Sequence, residues 1–275
     1  MFSMPLAAPV VRELLRHTLP ELEARAKILP LTLREINEAL PEGGLPRGGV
    51  VELATPRGLA RGTSIALSAC AAAQAEARRR GGDATDGDWC AWLDPSGTLY
   101  APAVARAGVD LGRLLVVRPP LEALAKVAAR MALSRAFVVL VIDAAGVPGA
   151  RRAAPSPERR GRDAERLASP EEDLSRWVNV VRKLALALEG SDGTILLLTD
   201  RQAARPLPLP VAMRIEMERV AEDRLSIRVA KDRRGQVTSP ATVMLRDEPA
   251  EPRPSLERTA GAEPRPSLAR ALRSA

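Results

Sequence analysis

The sequence predicts an α/β domain built on a mainly parallel sheet, with antiparallel strands along one edge. Three observations carry that reading. Residues 50–54, 137–142 and 194–198 are short, nearly unbroken apolar runs, the pattern of strands buried on both faces. Stretches with a helical apolar period, at 64–80, 121–134 and 174–188, alternate with those runs. Beyond Pro206, Pro208 and Pro210, residues 212–220, 225–230 and 238–246 alternate like antiparallel strands. Strands interleaved with helices, then strands alone, define the class.

Composition narrows the function. Of 275 residues, 46% are apolar and only 2% aromatic, so the core should be aliphatic and base-stacking surfaces scarce. That argues against single-strand binding on an aromatic platform. The net charge is +7 and the isoelectric point is about 10.3. Both suit a polyanionic partner, and both suit an Arg-rich composition that serves no partner. Cys70 and Cys90 show no pairing pattern and are expected to be reduced, buried and cytoplasmic. The single histidine, His17, excludes His-based zinc sites and argues against a Ser-His-Asp triad. The N-terminus has no basic region ahead of an apolar run. No stretch reaches the roughly 18 apolar residues of a membrane span, so no membrane contact is expected.

In chain order, residues 9–27 carry Val10, Val11, Leu14, Leu15 and Leu22 on a helical period with a break at Pro20. With the extended stretch from Ile28 to Thr32 and a short helix at 33–40, they form an N-terminal helical arm, residues 1–40. Turn residues at 41–49 precede the first core strand at 50–54. An Ala-rich helix at 64–80, a polar loop at 81–88 and a strand at 89–93 follow. A short helix at 100–107, a strand at 114–117, and a helix with Leu121, Leu124, Val127 and Met131 on one face come next. The strand at 137–142 ends in Asp143. Residues 144–173 are rich in Gly, Pro, Ser and charge, and a loop of that length is functional or disordered. The core spans 41–246. Residues 247–275 read as a disordered tail, in which Glu-Pro-Arg-Pro-Ser-Leu occurs at 251–256 and again at 263–268. That tail either drifts or docks on a partner.

The strand at 50–54 feeds a turn, Thr55-Pro56-Arg57-Gly58-Leu59-Ala60-Arg61-Gly62-Thr63, and then a helix. This is the layout of a phosphate-binding loop, whose pattern is Gly, four residues, Gly-Lys, then Ser or Thr. Thr55 stands at the first Gly, Ala60 at the second, Arg61 at the Lys and Gly62 at the hydroxyl residue. A Cβ at Ala60 obstructs the turn. The forked guanidinium of Arg61 does not replace a compact ammonium. Gly62 has no hydroxyl for magnesium.

Over roughly residues 31–245 the chain resembles RecA. Gly43-Gly44-Leu45-Pro46 and Val51-Glu52-Leu53 carry the resemblance before the loop. Cys90-Ala91-Trp92-Leu93-Asp94, Gly108-Val109-Asp110 with Leu114-Leu115, and Arg182-Lys183-Leu184-Ala185 carry it beyond. Val139-Leu140-Val141-Ile142-Asp143 is similar to a Walker-B strand. The resemblance implies a RecA-like core. It also implies a catalytic Glu where Ser96 stands and a phosphate-sensing Gln where Asp200 stands, so of the catalytic set only Asp143 remains. The expectation is therefore a non-catalytic protein with no cofactor and no metal.

With these departures and an Arg-rich tail, the chain is similar to the ImuA family, accessory proteins of the bacterial mutasome in SOS-induced translesion DNA synthesis. That resemblance implies binding to ImuB, an inactive relative of Y-family polymerases, through Arg253, Leu256, Arg265, Leu268, Arg270 and Leu272. Through ImuB it implies an error-prone DnaE-type polymerase. RecA subunits join by an N-terminal helix and strand, so the same order here implies docking on RecA through Val11, Leu14, Leu15, Ile28 and Leu29. Arg151, Arg152, Arg159, Arg160, Arg162 and Arg166 could contact DNA weakly and with high salt sensitivity. Two alternatives stand beside this adaptor: a DNA-stimulated ATPase of the recombinase type, and a cell-division inhibitor resembling SulA.

Overall fold

The computed structural model describes residues 28–56, 61–80, 89–144, 170–201 and 208–244. The lead-in consists of β1 (Ile28–Leu29), α1 (Arg34–Ala39), β2 (Leu45–Pro46) and β3 (Gly49–Thr55). Then come α2 (Arg61–Arg79), β4 (Trp89–Leu93), α3 (Ala101–Arg106), a tight 3-10 turn at Leu111–Arg113 and β5 (Leu114–Val117). α4 (Leu121–Ser134), β6 (Phe137–Asp143), α5 (Pro170–Ala187) and β7 (Thr194–Asp200) complete the alternation. β8 (Met213–Arg219), β9 (Arg224–Asp232) and β10 (Ala241–Met244) follow without intervening helices.

Eight strands form one sheet in the order β10-β9-β8-β3-β7-β6-β4-β5. From β8 across to β5 every neighbouring pair is parallel, and β8, β9 and β10 pair antiparallel. This is the predicted class: an α/β, RecA-like core with a mainly parallel sheet and an antiparallel edge.

The apolar runs become strands because each feeds two cores. Val51 and Leu53 of β3, Cys90 and Trp92 of β4, Val139 and Val141 of β6, and Leu196 and Leu198 of β7 face one core, with α2. Val50, Ala91, Leu93, Leu140, Ile142, Ile195 and Leu197 face the other, with α4 and α5. Alternation along each strand thus buries both faces. The small residues of α2, Ala66, Ala69, Cys70 and Ala73, let that helix sit close on the sheet. The buried stripe of α4 is Leu124, Ala128 and Ala132, with Val127 and Met131 packed at its border. That stripe is rotated from the predicted face because alanines, too small to mark a period, make the closest approach.

Three boundaries differ from the sequence reading. The helix predicted at 64–80 begins three residues earlier, at Arg61. α5 begins at Pro170, inside the stretch read as a loop; proline at a first helical turn loses no hydrogen bond. The arm expected to run to residue 40 is, from Ile28 on, part of the core. Ile28 pairs with Pro46 and Leu29 with Leu45 in a two-stranded ribbon. Leu29, Leu31, Ile36 and Leu40 are buried in the α2-side core. Gly44 is required there, because a Cβ on it would lie 2.5 Å from the Leu29 carbonyl oxygen. Polar clamps close the segment. Ser68 Oγ accepts from the Thr32 and Leu33 amides at 2.8 and 3.2 Å. Asn37 exchanges two hydrogen bonds with the Leu31 backbone, both 2.8 Å. Leu29 is thus buried in its own core and Ile28 is half-buried beside Pro46, while Val11, Leu14 and Leu15 lie outside the described residues.

Cys70 and Cys90 are both free thiols and both buried. Cys90 Sγ approaches the Cys70 carbonyl oxygen at 3.8 Å. The neighbouring Cys90 thiol, and then burial, push the Cys70 thiol well above its ordinary value. Among the described residues no helix is long and apolar enough to cross a membrane.

Leu29→Ala should lower unfolding free energy by about 2–4 kcal/mol, the usual cost of emptying a fully buried leucine site. Urea titration checks this, and an unchanged midpoint would return the segment to the arm. The raised Cys70 value gives a second test. A folded thiol that holds its proton above an unfolded value near about 8.5 contributes stability below that pH and loses it as pH rises through the folded value. Stability should therefore decline in alkaline buffer, and Cys70→Ala should flatten that decline.

Candidate functional site

The carboxyl ends of β3, β7, β6 and β4 form one rim of the sheet. Register places Thr55 of β3 beside Asp200 of β7. Asp143 of β6 lies beside Leu198 of β7. The rim is tied across strands: the Arg201 amide donates to the Thr55 carbonyl at 2.9 Å, and the Ala144 amide to the Leu198 carbonyl at 3.1 Å. β7 thus separates the loop strand β3 from the Walker-B-like strand β6. Sequence reasoning placed Thr55, Asp143 and Asp200 on strand ends, and the fold brings these ends onto one edge.

Of the phosphate-loop positions, Thr55 and Pro56 end the strand, and Arg61, Gly62 and Thr63 open α2. Arg57, Gly58, Leu59 and Ala60 lie outside the described residues. Gly62 is buried in the first turn of α2. A Cβ added to it would sit 3.3 Å from the Thr55 methyl, 3.6 Å from the Thr55 hydroxyl and 3.9 Å from Leu198 Cδ2. Glycine costs a helix interior about 1 kcal/mol relative to alanine, so this close approach is its physical reason. In a nucleotide loop these two positions hold glycine first and a hydroxyl residue later. Here the side chain and the gap have changed places, and the Thr55 side chain takes the space a hydroxyl residue at 62 would need. Position 62 therefore offers no hydroxyl at the start of α2.

The rest of the rim departs in the same direction. Ser96 is exposed on a turn after β4. That turn is built by Asp94, whose buried carboxylate accepts from the Thr98 and Leu99 amides at 3.0 and 3.1 Å. Asp200, at the sensor position, is a buried carboxylate. Asp143 is half-buried at the end of β6. Among the described residues, no group of three or more His, Cys, Asp or Glu is placed to hold a metal ion.

One polar cluster escaped the sequence reading. Glu52, at the middle of β3, is fully buried on the α5 side of the sheet. Its Oε1 accepts from the Thr199 hydroxyl at 2.7 Å. Its Oε2 faces Arg214 Nε at 3.8 Å, and Arg214 Nη2 pairs with Glu216 at 2.9 Å. The available signal was a charged residue, Glu52, inside an otherwise apolar strand, with Arg214 and Glu216 on alternate positions of a later one.

No family model matches this chain. Curated relatives are RecA proteins. That of Acidiphilium cryptum is 38% identical over 115 residues, which cover 41% of this chain and 30% of the relative. That of Saccharopolyspora erythraea is 38% identical over 133 residues, 47% of this chain and 35% of the relative. That of Kineococcus radiotolerans is 35% identical over the same length, with the same shares. The chain therefore spans about a third of the length of the curated relatives it matches. Sequence similarity over part of the chain and the sheet agree on a RecA-like core.

The Arg-rich stretch from Arg151 to Arg166 and the tail residues Arg253, Leu256, Arg265, Leu268, Arg270 and Leu272 lie outside the described residues.

The contact between Thr55 and Gly62 generates a double-mutant test. Gly62→Thr should destabilise by about 1–3 kcal/mol through overpacking. Adding Thr55→Gly should recover part of that loss, because the new side chain then enters the vacated space. Denaturant midpoints of the four proteins give the coupling, and strict additivity would show that the two positions do not compete for space.

Proposed function

We propose that this chain is a non-catalytic RecA-like adaptor in DNA repair, and more narrowly an ImuA-like component of translesion synthesis. The single observation behind the non-catalytic reading is the exchange at Thr55 and Gly62. It leaves the strand-to-helix scaffold packed and removes the hydroxyl that magnesium-nucleotide requires. Ser96 and Asp200 in place of an acid and a phosphate sensor support it. RecA similarity supports the repair context.

In this reading ImuB binds the tail through Arg253, Leu256, Arg265, Leu268, Arg270 and Leu272, and brings an error-prone DnaE-type polymerase. RecA is a second partner, met by the amphipathic stretch that includes Val11, Leu14 and Leu15. Ile28, half-buried and paired with Pro46, stays within that contact, while Leu29 is buried at home. The Arg151–Arg166 stretch adds salt-sensitive phosphate contact. The ATPase alternative requires nucleotide chemistry for which the described rim supplies few groups.

Truncation after Arg246 should leave the unfolding transition unchanged and abolish ImuB binding in a titration with purified partner. Equal affinity of the truncated protein would remove the tail from the proposal. In the same preparation, magnesium-dependent ATP binding in the micromolar range would favour the recombinase-type ATPase instead.

A further inference from the structure

At the amino ends of β6 and β7, the end of the sheet opposite the rim, lies a cavity of about 190 Å³. Its wall is largely apolar, with Met131 of α4, Phe137, Val138 and Leu140 of β6, Leu188 and Ile195. Arg135, on the turn from α4 to β6, and Asp192, on the loop before β7, line it as well. A cavity of about 150 Å³ admits benzene, so a body of six carbons fits this one.

Both charged residues are fixed by the fold. Arg135 has φ 53°, a left-handed conformation that glycine or asparagine usually supplies after a helix. Its guanidinium donates to the Ala187 and Glu189 carbonyls at 3.2 and 3.1 Å, which ties the turn to the end of α5. Asp192 is held through its backbone. Buried Arg47 donates to its carbonyl at 3.3 Å and pairs with Glu76 of α2. The Gly48 amide donates to the neighbouring Gly193 carbonyl at 2.8 Å. Among the described residues, neither the Arg135 guanidinium nor the Asp192 carboxylate has an ion-pair partner, and they do not pair with each other.

We propose that this cavity binds a free apolar α-amino acid with a side chain the size of that of phenylalanine or leucine. One unpaired cation and one unpaired anion share the wall of an apolar space. An apolar carboxylate would be attracted by Arg135 and repelled by Asp192, and an apolar amine the reverse. A zwitterion satisfies both, with its carboxylate toward Arg135, its ammonium toward Asp192 and its side chain among Met131, Phe137, Val138 and Leu188. Arg135 and Asp192 are exposed at the mouth, so water screens them. They orient the ligand, while burial of its side chain holds it. This inference does not rest on the adaptor reading, since the cavity lies at the other end of the strands from the rim.

The test titrates the full chain with L-phenylalanine by isothermal titration calorimetry. Its comparators are 3-phenylpropanoate, which lacks the ammonium, 2-phenylethylamine, which lacks the carboxylate, and glycine, which lacks the apolar body. L-Phenylalanine should bind with a dissociation constant of roughly 1 mM. The two singly charged ligands should bind about three- to fivefold more weakly, and glycine should not bind measurably. Asp192→Asn, at a carboxylate with no partner to lose, should bring L-phenylalanine and 3-phenylpropanoate to equal affinity. Val138→Phe, which fills the cavity and leaves both charges, should abolish binding; should it fail to fold, the Asp192→Asn comparison decides alone. No heat of binding for L-phenylalanine up to roughly 10 mM, equal affinity for the four ligands, or an unchanged preference in Asp192→Asn would overturn the proposal. So would binding that appears only after residues 1–27 are removed, which would assign the cavity to the chain's own N-terminal stretch.

Discussion

The whole fold depends on β3 being buried on both faces. It pairs with β7 over its full seven residues, from Gly49↔Thr194 to Thr55↔Asp200, and with β8 along its other side. A strand enclosed in this way needs helices above and below, and parallel neighbours need crossovers to supply them. α2 covers one face and α5 the other, so the order of elements follows from the demand of one strand. The exception within it, Glu52, is retained by hydrogen bonding to Thr199 and by facing Arg214. A buried carboxylate left alone would be costly, and this cluster is the condition on which a charge sits in the sheet centre.

How much of this was legible in the sequence depended on whether a local signal named its own partner. The runs at 50–54, 137–142 and 194–198 announced strands because a strand buried on both faces needs no knowledge of which helix covers it. The antiparallel edge was legible from alternation at 212–220 and 225–230 for the same reason. The ribbon of Ile28–Leu29 with Leu45–Pro46 was not, because two-residue strands carry no period. Nor does an apolar pair such as Ile28 and Leu29 say whose core it enters. The pattern reads the same for an arm on a neighbour and for a lid on the home domain.

At the candidate site the substitutions were legible and their packing was not. Thr55, Ala60, Arg61 and Gly62 departed from a known pattern on inspection. That Gly62 exists to admit the Thr55 side chain required the distance between a strand end and a helix start. The role of Asp94 was hidden in the same way. In sequence it precedes a proline at a strand end. In space its carboxylate organises the turn that carries Ser96 outward. Among the described residues, the strand ends of the rim are tied to one another by backbone hydrogen bonds.

The Thr55–Gly62 contact also bears on how such a chain can change. A hydroxyl residue at 62 alone would crowd the Thr55 methyl, and glycine at 55 alone would leave that space empty with no hydroxyl gained. Each single step is therefore uphill, and a paired change recovers part of the cost. Sequence drift around this loop is held by a local latch. Under the proposed non-catalytic reading, a change toward the nucleotide-loop pattern would lose stability before any binding benefit could appear.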